Sequence, residues 1–72
     1  MNNSLHREVQ IVFDEATQQI LVQDDTESFV KVIAELPIEE FPMGLELAIL
    51  YARIYNLSVV IYPETAQRVR LK

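Results

Sequence analysis

The sequence predicts an α+β fold. Two β-hairpins in one antiparallel sheet flank a central helical segment, in the order β-β-α-α-β-β, with the helices on one face. Three observations predict it. Residues 8–13 (EVQIVF) and 20–23 (ILVQ) are apolar and partly β-branched on either side of the polar DEATQQ. Residues 42–55 carry a helix start signal, a helix stop signal and few charges between them. The C-terminus returns to SVVIY, PETAQ and RVRLK, a second strand–turn–strand pattern.

The first hairpin follows from the loose alternation of residues 8–13 and 20–23 around a loop of about four to six residues. Next comes DDTESFVKVIAEL. Asp24, Asp25 and Thr26 suit a helix N-terminus. Phe29, Val32, Ile33 and Leu36 fall at i, i+3, i+4 and i+7. Glu27, Lys31 and Glu35 are spaced for i,i+4 pairs. Residues 26–36 are therefore expected to be helical, with a strand as the rival reading because Val30, Val32 and Ile33 are β-branched. Pro37 ends the segment.

The second central piece has the firmer signals. Pro42 suits a first helical turn. Asn56 suits the left-handed residue that closes a helix, and Leu57 can fold back on the last turn. Glu46 and Arg53, seven residues apart, are the only charges between them. Met43, Leu47, Leu50 and Ile54 form one apolar ridge. Gly44, Ala48 and Ala52, flanked by Tyr51 and Tyr55, form a neighbouring groove of small side chains. The ridge is expected to sit on the sheet. The groove then needs a close neighbour, either the helix at 26–36 or the same helix of a second chain across a two-fold axis, unless it stays exposed.

The second hairpin resembles the first. FDEATQQILV at 13–22 aligns with YPETAQRVRL at 62–71. In its final strand Arg68, Arg70 and Lys72 would share one face, with Val69 and Leu71 on the other. That reads as a cationic edge guarding against aggregation, or as a ladder for an acidic partner.

The run Val32-Ile33-Ala34-Glu35-Leu36-Pro37-Ile38-Glu39-Glu40-Phe41, preceded by Phe13-Asp14-Glu15-Ala16-Thr17, loosely resembles the flagellar FlaG family. That family repeats Asp-x-x-Thr-Gly turns and then has Val-Ile-x-x-Ile-Pro-x-Glu-Glu before a helix. Both turn glycines are absent here, and the C-terminal segment has no counterpart. The resemblance implies a strand over 28–36, and membership is not inferred from it.

Seventy-two residues form one domain, 1–72, in which 1–7 are expected to be a flexible tail. A chain of this length buries only about 60% of the surface that its unfolded form exposes. With no cysteine there is no disulfide or thiolate metal site to reinforce it. An apolar share of 50% against 24% charged leaves oligomerisation as the expected reinforcement. The net charge of −5 disfavours nucleic acid and anionic membrane as partners. No apolar run approaches the ~18 residues of a membrane span, and MNNSLHREVQ lacks the pattern of a signal peptide. A cytoplasmic location is expected.

Chemistry is sparse. His6 is the only histidine, and no nucleophile-elbow spacing joins it to Ser4, Ser28 or Ser58. The pairs Asp14/Glu15, Asp24/Asp25 and Glu39/Glu40 are placed as caps and turns. A single glycine excludes phosphate-cradling fingerprints. No catalytic, cofactor or metal site is expected, and the chain is read as no enzyme. The expected function is that of a non-catalytic interaction module, partnered by itself or by another protein. Gly44, Ala48, Ala52, Tyr51 and Tyr55 are its candidate contact groove, and Arg68, Arg70 and Lys72 its possible cationic edge. The alternative is an acidic regulator that occupies another protein's basic site. Residues 1–50 hold 10 acidic and 2 basic side chains, and this reading needs Asp14, Glu15, Asp24, Asp25, Glu39 and Glu40 on one face.

Overall fold

The computed structural model describes residues 8–25 and 30–69. The expected N-terminal tail, 1–7, lies outside them, as do Arg70 and Lys72. The order is β1 (Glu8–Asp14), β2 (Gln19–Asp24), β3 (Lys31–Pro37), a 3₁₀ turn (Ile38–Glu40), α1 (Phe41–Tyr55), β4 (Ser58–Ile61) and α2 (Pro63–Val69). The α+β class stands, as do the first hairpin and the long helix. The expected β-β-α-α-β-β order and the second hairpin do not.

The four strands form one sheet in the order β3-β2-β1-β4. β1 and β2 pair antiparallel, with Ile11 opposite Val22 and Phe13 opposite Ile20. Their four-residue turn is organised by Asp14, whose carboxylate accepts from the Ala16 amide (3.1 Å) and the Thr17 hydroxyl (3.0 Å). Gln18 closes the turn at φ 61°, with its amide donating to the Asp14 carbonyl at 2.7 Å. This left-handed position is where the Asp-x-x-Thr-Gly pattern has glycine. A side chain there costs roughly 1–2 kcal/mol, while glycine loses roughly 0.5–1 kcal/mol more entropy on folding. Gln18→Gly should therefore stabilise the fold by up to about 1 kcal/mol. A lower denaturation midpoint in urea would show that the Gln18 side chain, whose Nε2 donates to the Glu15 carbonyl at 2.9 Å, outweighs the backbone strain.

The expected helix at 26–36 is corrected over its described part: Lys31–Pro37 is a strand, antiparallel to β2. The cause is tertiary. Without β3, β2 would be a bare edge beside a hydrophobic core. The register skips Ile33, since Gln23 pairs with Val32 and Val22 with Ala34. That bulge breaks the two-residue alternation. Ile33, Ala34 and Leu36 all pack on the core as a result, whereas Val32 of the expected helical stripe is 45% exposed.

β4 is the second correction. It pairs with β1 in parallel, Glu8 opposite Ser58 and Ile11 opposite Ile61, so the sheet is mixed. Parallel neighbours need a crossover. α1 supplies it, carrying the chain from the β3 edge across β2 and β1 to the opposite edge. The third correction is the final strand: residues 63–69 are helix α2. Pro63 opens it, which suits a position where no amide hydrogen is missed, and Glu64 lies in its first turn. The likeness between 13–22 and 62–71 therefore does not carry over into conformation.

α2 has a structural task at the edge of β1. β4 stops opposite Ile11, leaving the rest of that edge uncovered. The Tyr62 amide donates to the Ile11 carbonyl at 3.2 Å, and the fully buried Thr65 hydroxyl donates to the same oxygen at 3.0 Å. Val69 packs against the core beyond. The core is formed by Val9, Ile11 and Phe13 of β1 with Ile20 and Val22 of β2, closed by Phe41, Ala48 and Ala52 of α1.

Candidate functional site

α1 is built as its sequence signals require. Pro42 occupies its first turn. Asn56 ends it in the left-handed conformation (φ 59°, ψ 53°), and the Leu57 amide donates back to the Ala52 carbonyl at 2.7 Å. The orientation of the helix is the reverse of expectation. Its buried residues are Phe41, Gly44, Ala48 and Ala52, so the groove of small side chains faces the chain's own sheet. A β-carbon at Gly44 would stand 2.9 Å from Ile20 Cδ1 and 3.1 Å from Leu36 Cδ1. Neither a helix at 26–36 nor a second chain fills the groove: β1, β2 and β3 do. The physical reason is distance. A helix lying diagonally over a twisted sheet comes closest where its side chains are smallest, and dispersion contacts favour that approach.

The ridge is what remains outside. Met43, Leu47, Leu50 and Ile54 are 52%, 38%, 49% and 73% exposed. Glu46 and Arg53 lie along one margin of the ridge, and Ile49 is exposed beyond them. Among the described residues neither Glu46 nor Arg53 takes part in an ion pair. Scattered exposed apolar residues are normal on a protein surface. Four at the spacings 4, 3 and 4 on one helix form a continuous stripe.

The tyrosines expected to flank the groove divide. Tyr51 is half-buried, and its hydroxyl donates to Asp24 Oδ2, which is itself buried at the end of β2. Tyr55 is exposed, its ring centroid 4.6 Å from that of Tyr51 and tilted by 43°. Tyr51 thus ties α1 to the sheet.

Of the expected cationic edge, only Arg68 is among the described residues, and it lies on α2 and not on a strand. Its guanidinium donates to Glu15 Oε2 at 2.7 Å and lies 4.8 Å from the centre of the Phe13 ring. Both side chains of the pair are largely exposed, which limits such a pair to at most about 1 kcal/mol. The acidic residues needed by the regulator reading do not form one face. Asp14 and Glu15 sit at the β1–β2 turn, and Glu39 and Glu40 follow β3 at that same end of the sheet. Asp24 and Asp25 lie at the other end, beyond the pairing of Val9 with Asp24. On the face of the sheet away from α1, the buried Gln10 amide donates to Glu8 Oε2 (2.9 Å) and Asp25 Oδ2 (3.0 Å) and accepts from Gln23 Nε2 (3.2 Å). That network satisfies its own members.

Among the described residues no three His, Cys, Asp or Glu side chains gather where they could hold a metal ion, and no helix is long and apolar enough to cross a membrane. Compared with protein-family models, curated proteins and solved structures, the chain matches none.

Proposed function

We propose that this chain is a small, non-catalytic interaction module whose contact surface is the outer face of α1. One observation carries the reading: the helix turns its smallest side chains to its own sheet and leaves Met43, Leu47, Leu50 and Ile54 in solvent. Full burial of a large apolar side chain is worth about 1.5–3 kcal/mol, and this arrangement forgoes roughly half of that at each of the four. A 72-residue domain has little burial to spare. Covering the ridge with a partner recovers it. The lack of a catalytic constellation in the sequence supports the same reading.

A photo-reactive amino acid placed at position 50 in the source cells tests it. The expected result is a discrete crosslinked species that disappears when Leu47 is replaced by Glu in the same chain. Irradiation that leaves the chain at its own mass would remove the reading.

A further inference from the structure

The ridge has a repeat that names its own partner. We propose that α1 pairs with α1 of a second copy, antiparallel, about a two-fold axis through the middle of the ridge. The inference rests on the reading of the ridge as a contact surface and adds the identity and arrangement of the occupant.

The spacings 4, 3 and 4 of Met43, Leu47, Leu50 and Ile54 are those of a coiled-coil seam, d-a-d-a in heptad notation. The sheet already holds this helix in shape, so the seam only has to dock it, and preorganisation lowers the cost of binding. In the antiparallel arrangement Leu47 of each copy packs against Leu50 of the other at the centre. Met43 packs against Ile54 at each end. All four layers are apolar, and the contact closes on itself as a two-fold interface must.

Charge decides the direction. Glu46 and Arg53 both occupy g positions, on the same margin of the seam. In an antiparallel pair g positions face g positions, so Glu46 of each copy meets Arg53 of the other, twice. In a parallel pair g faces e, and the e positions here are Gly44 and Tyr51, which offer no opposite charge. Like charges never meet in the antiparallel register. Opposite charges at such flanking positions set partner and orientation in coiled coils. Neither Glu46 nor Arg53 is in an ion pair among the described residues, so both are available. A four-residue seam on a helix about 22 Å long makes a small interface, below the ~1,200 Å² of standard complexes. The self-association is accordingly weak and concentration-dependent.

Sedimentation equilibrium of the full chain over a wide concentration range tests this, with thermal melts confirming that each variant folds. The wild type should pass from monomer to dimer. E46R and R53E should each weaken the dimer roughly tenfold, because either change turns two attractions into two repulsions. An equimolar mixture of E46R and R53E should restore dimerisation to near the wild-type level, since each chain then offers the charges that the other needs. Leu50→Glu should abolish the dimer. A wild type that stays monomeric overturns the self-pairing. The interaction-module reading then stands or falls separately on the mass of the species crosslinked through position 50. A wild-type dimer lost in Leu50→Glu but unaffected by either charge reversal overturns the antiparallel arrangement while leaving the ridge as the contact. No heterodimer in the mixture overturns it as well.

Discussion

Ala48→Leu should cost about 1–3 kcal/mol of folding stability, the usual range for overpacking a filled site. Ala48 is fully buried between α1 and the sheet, and one turn earlier even a β-carbon added at Gly44 would stand 2.9 Å from Ile20 Cδ1. Leucine adds three carbons where the separation of the helix from the sheet is set by a methyl group. For a domain of this size each kcal/mol lowers the melting temperature by roughly 4–8 °C, so a fall of about 5–20 °C is expected by circular dichroism. The companion change Leu50→Lys, on the outer face, should leave the melt of the isolated chain within about 0.5 kcal/mol of wild type. The reverse ranking, with Ala48→Leu silent and Leu50→Lys severe, would mean that the ridge and not the groove lies on the sheet.

The largest loss is expected from Ile11→Ala, at about 2–5 kcal/mol. Ile11 is fully buried at the centre of the sheet, paired with Val22 on one side and Ile61 on the other. Truncation removes apolar contact with β2 and with α1 at once, and the close packing around it has little freedom to collapse into the void. A chain of this length has about 4–11 kcal/mol of total stability, so the variant should unfold early in a urea titration. Val12→Ala is the internal comparison. Val12 points to the face without α1 and is only partly buried, so its truncation should cost clearly less. Equal losses at the two positions would contradict a sheet whose core lies on one side.

The elements that were legible in the sequence are those with punctuation of their own. Pro42 and Asn56 bracket α1 in the sequence and in the structure. The polar loop between two β-branched runs gave the first hairpin, down to its four-residue turn. β3 is legible only as the rival to a helix, because the bulge at Ile33 breaks the two-residue alternation that would mark a strand. Its strand identity is decided by β2, which needs a second neighbour. α2 is hidden by the likeness of 62–71 to the first hairpin, although Pro63, Glu64 and Ala66 are ordinary residues for an opening helical turn. The candidate site was legible in composition but inverted in orientation. The ridge and the groove are both plain in the helical spacing, but amphipathicity alone favours the larger side chains for the core. That rule describes burial against loosely spaced neighbours. Where a helix bridges two strands at close range, side-chain volume sets the approach, and the smallest stripe turns inward.

The parallel pairing of β1 with β4 has a consequence for how the chain becomes ordered. β1, β2 and β3 meet their neighbours across short stretches of chain, whereas Glu8 waits for Ser58. Closing so long a loop before any contact rewards it is slow relative to hairpin formation. On a ribosome the three-stranded meander can therefore assemble while α1 is still emerging. The edge of β1 stays open until β4 and α2 arrive, and Thr65 then locks a strand synthesised some fifty residues before it. The N-terminal half provides the template, and the C-terminal quarter serves as its clasp.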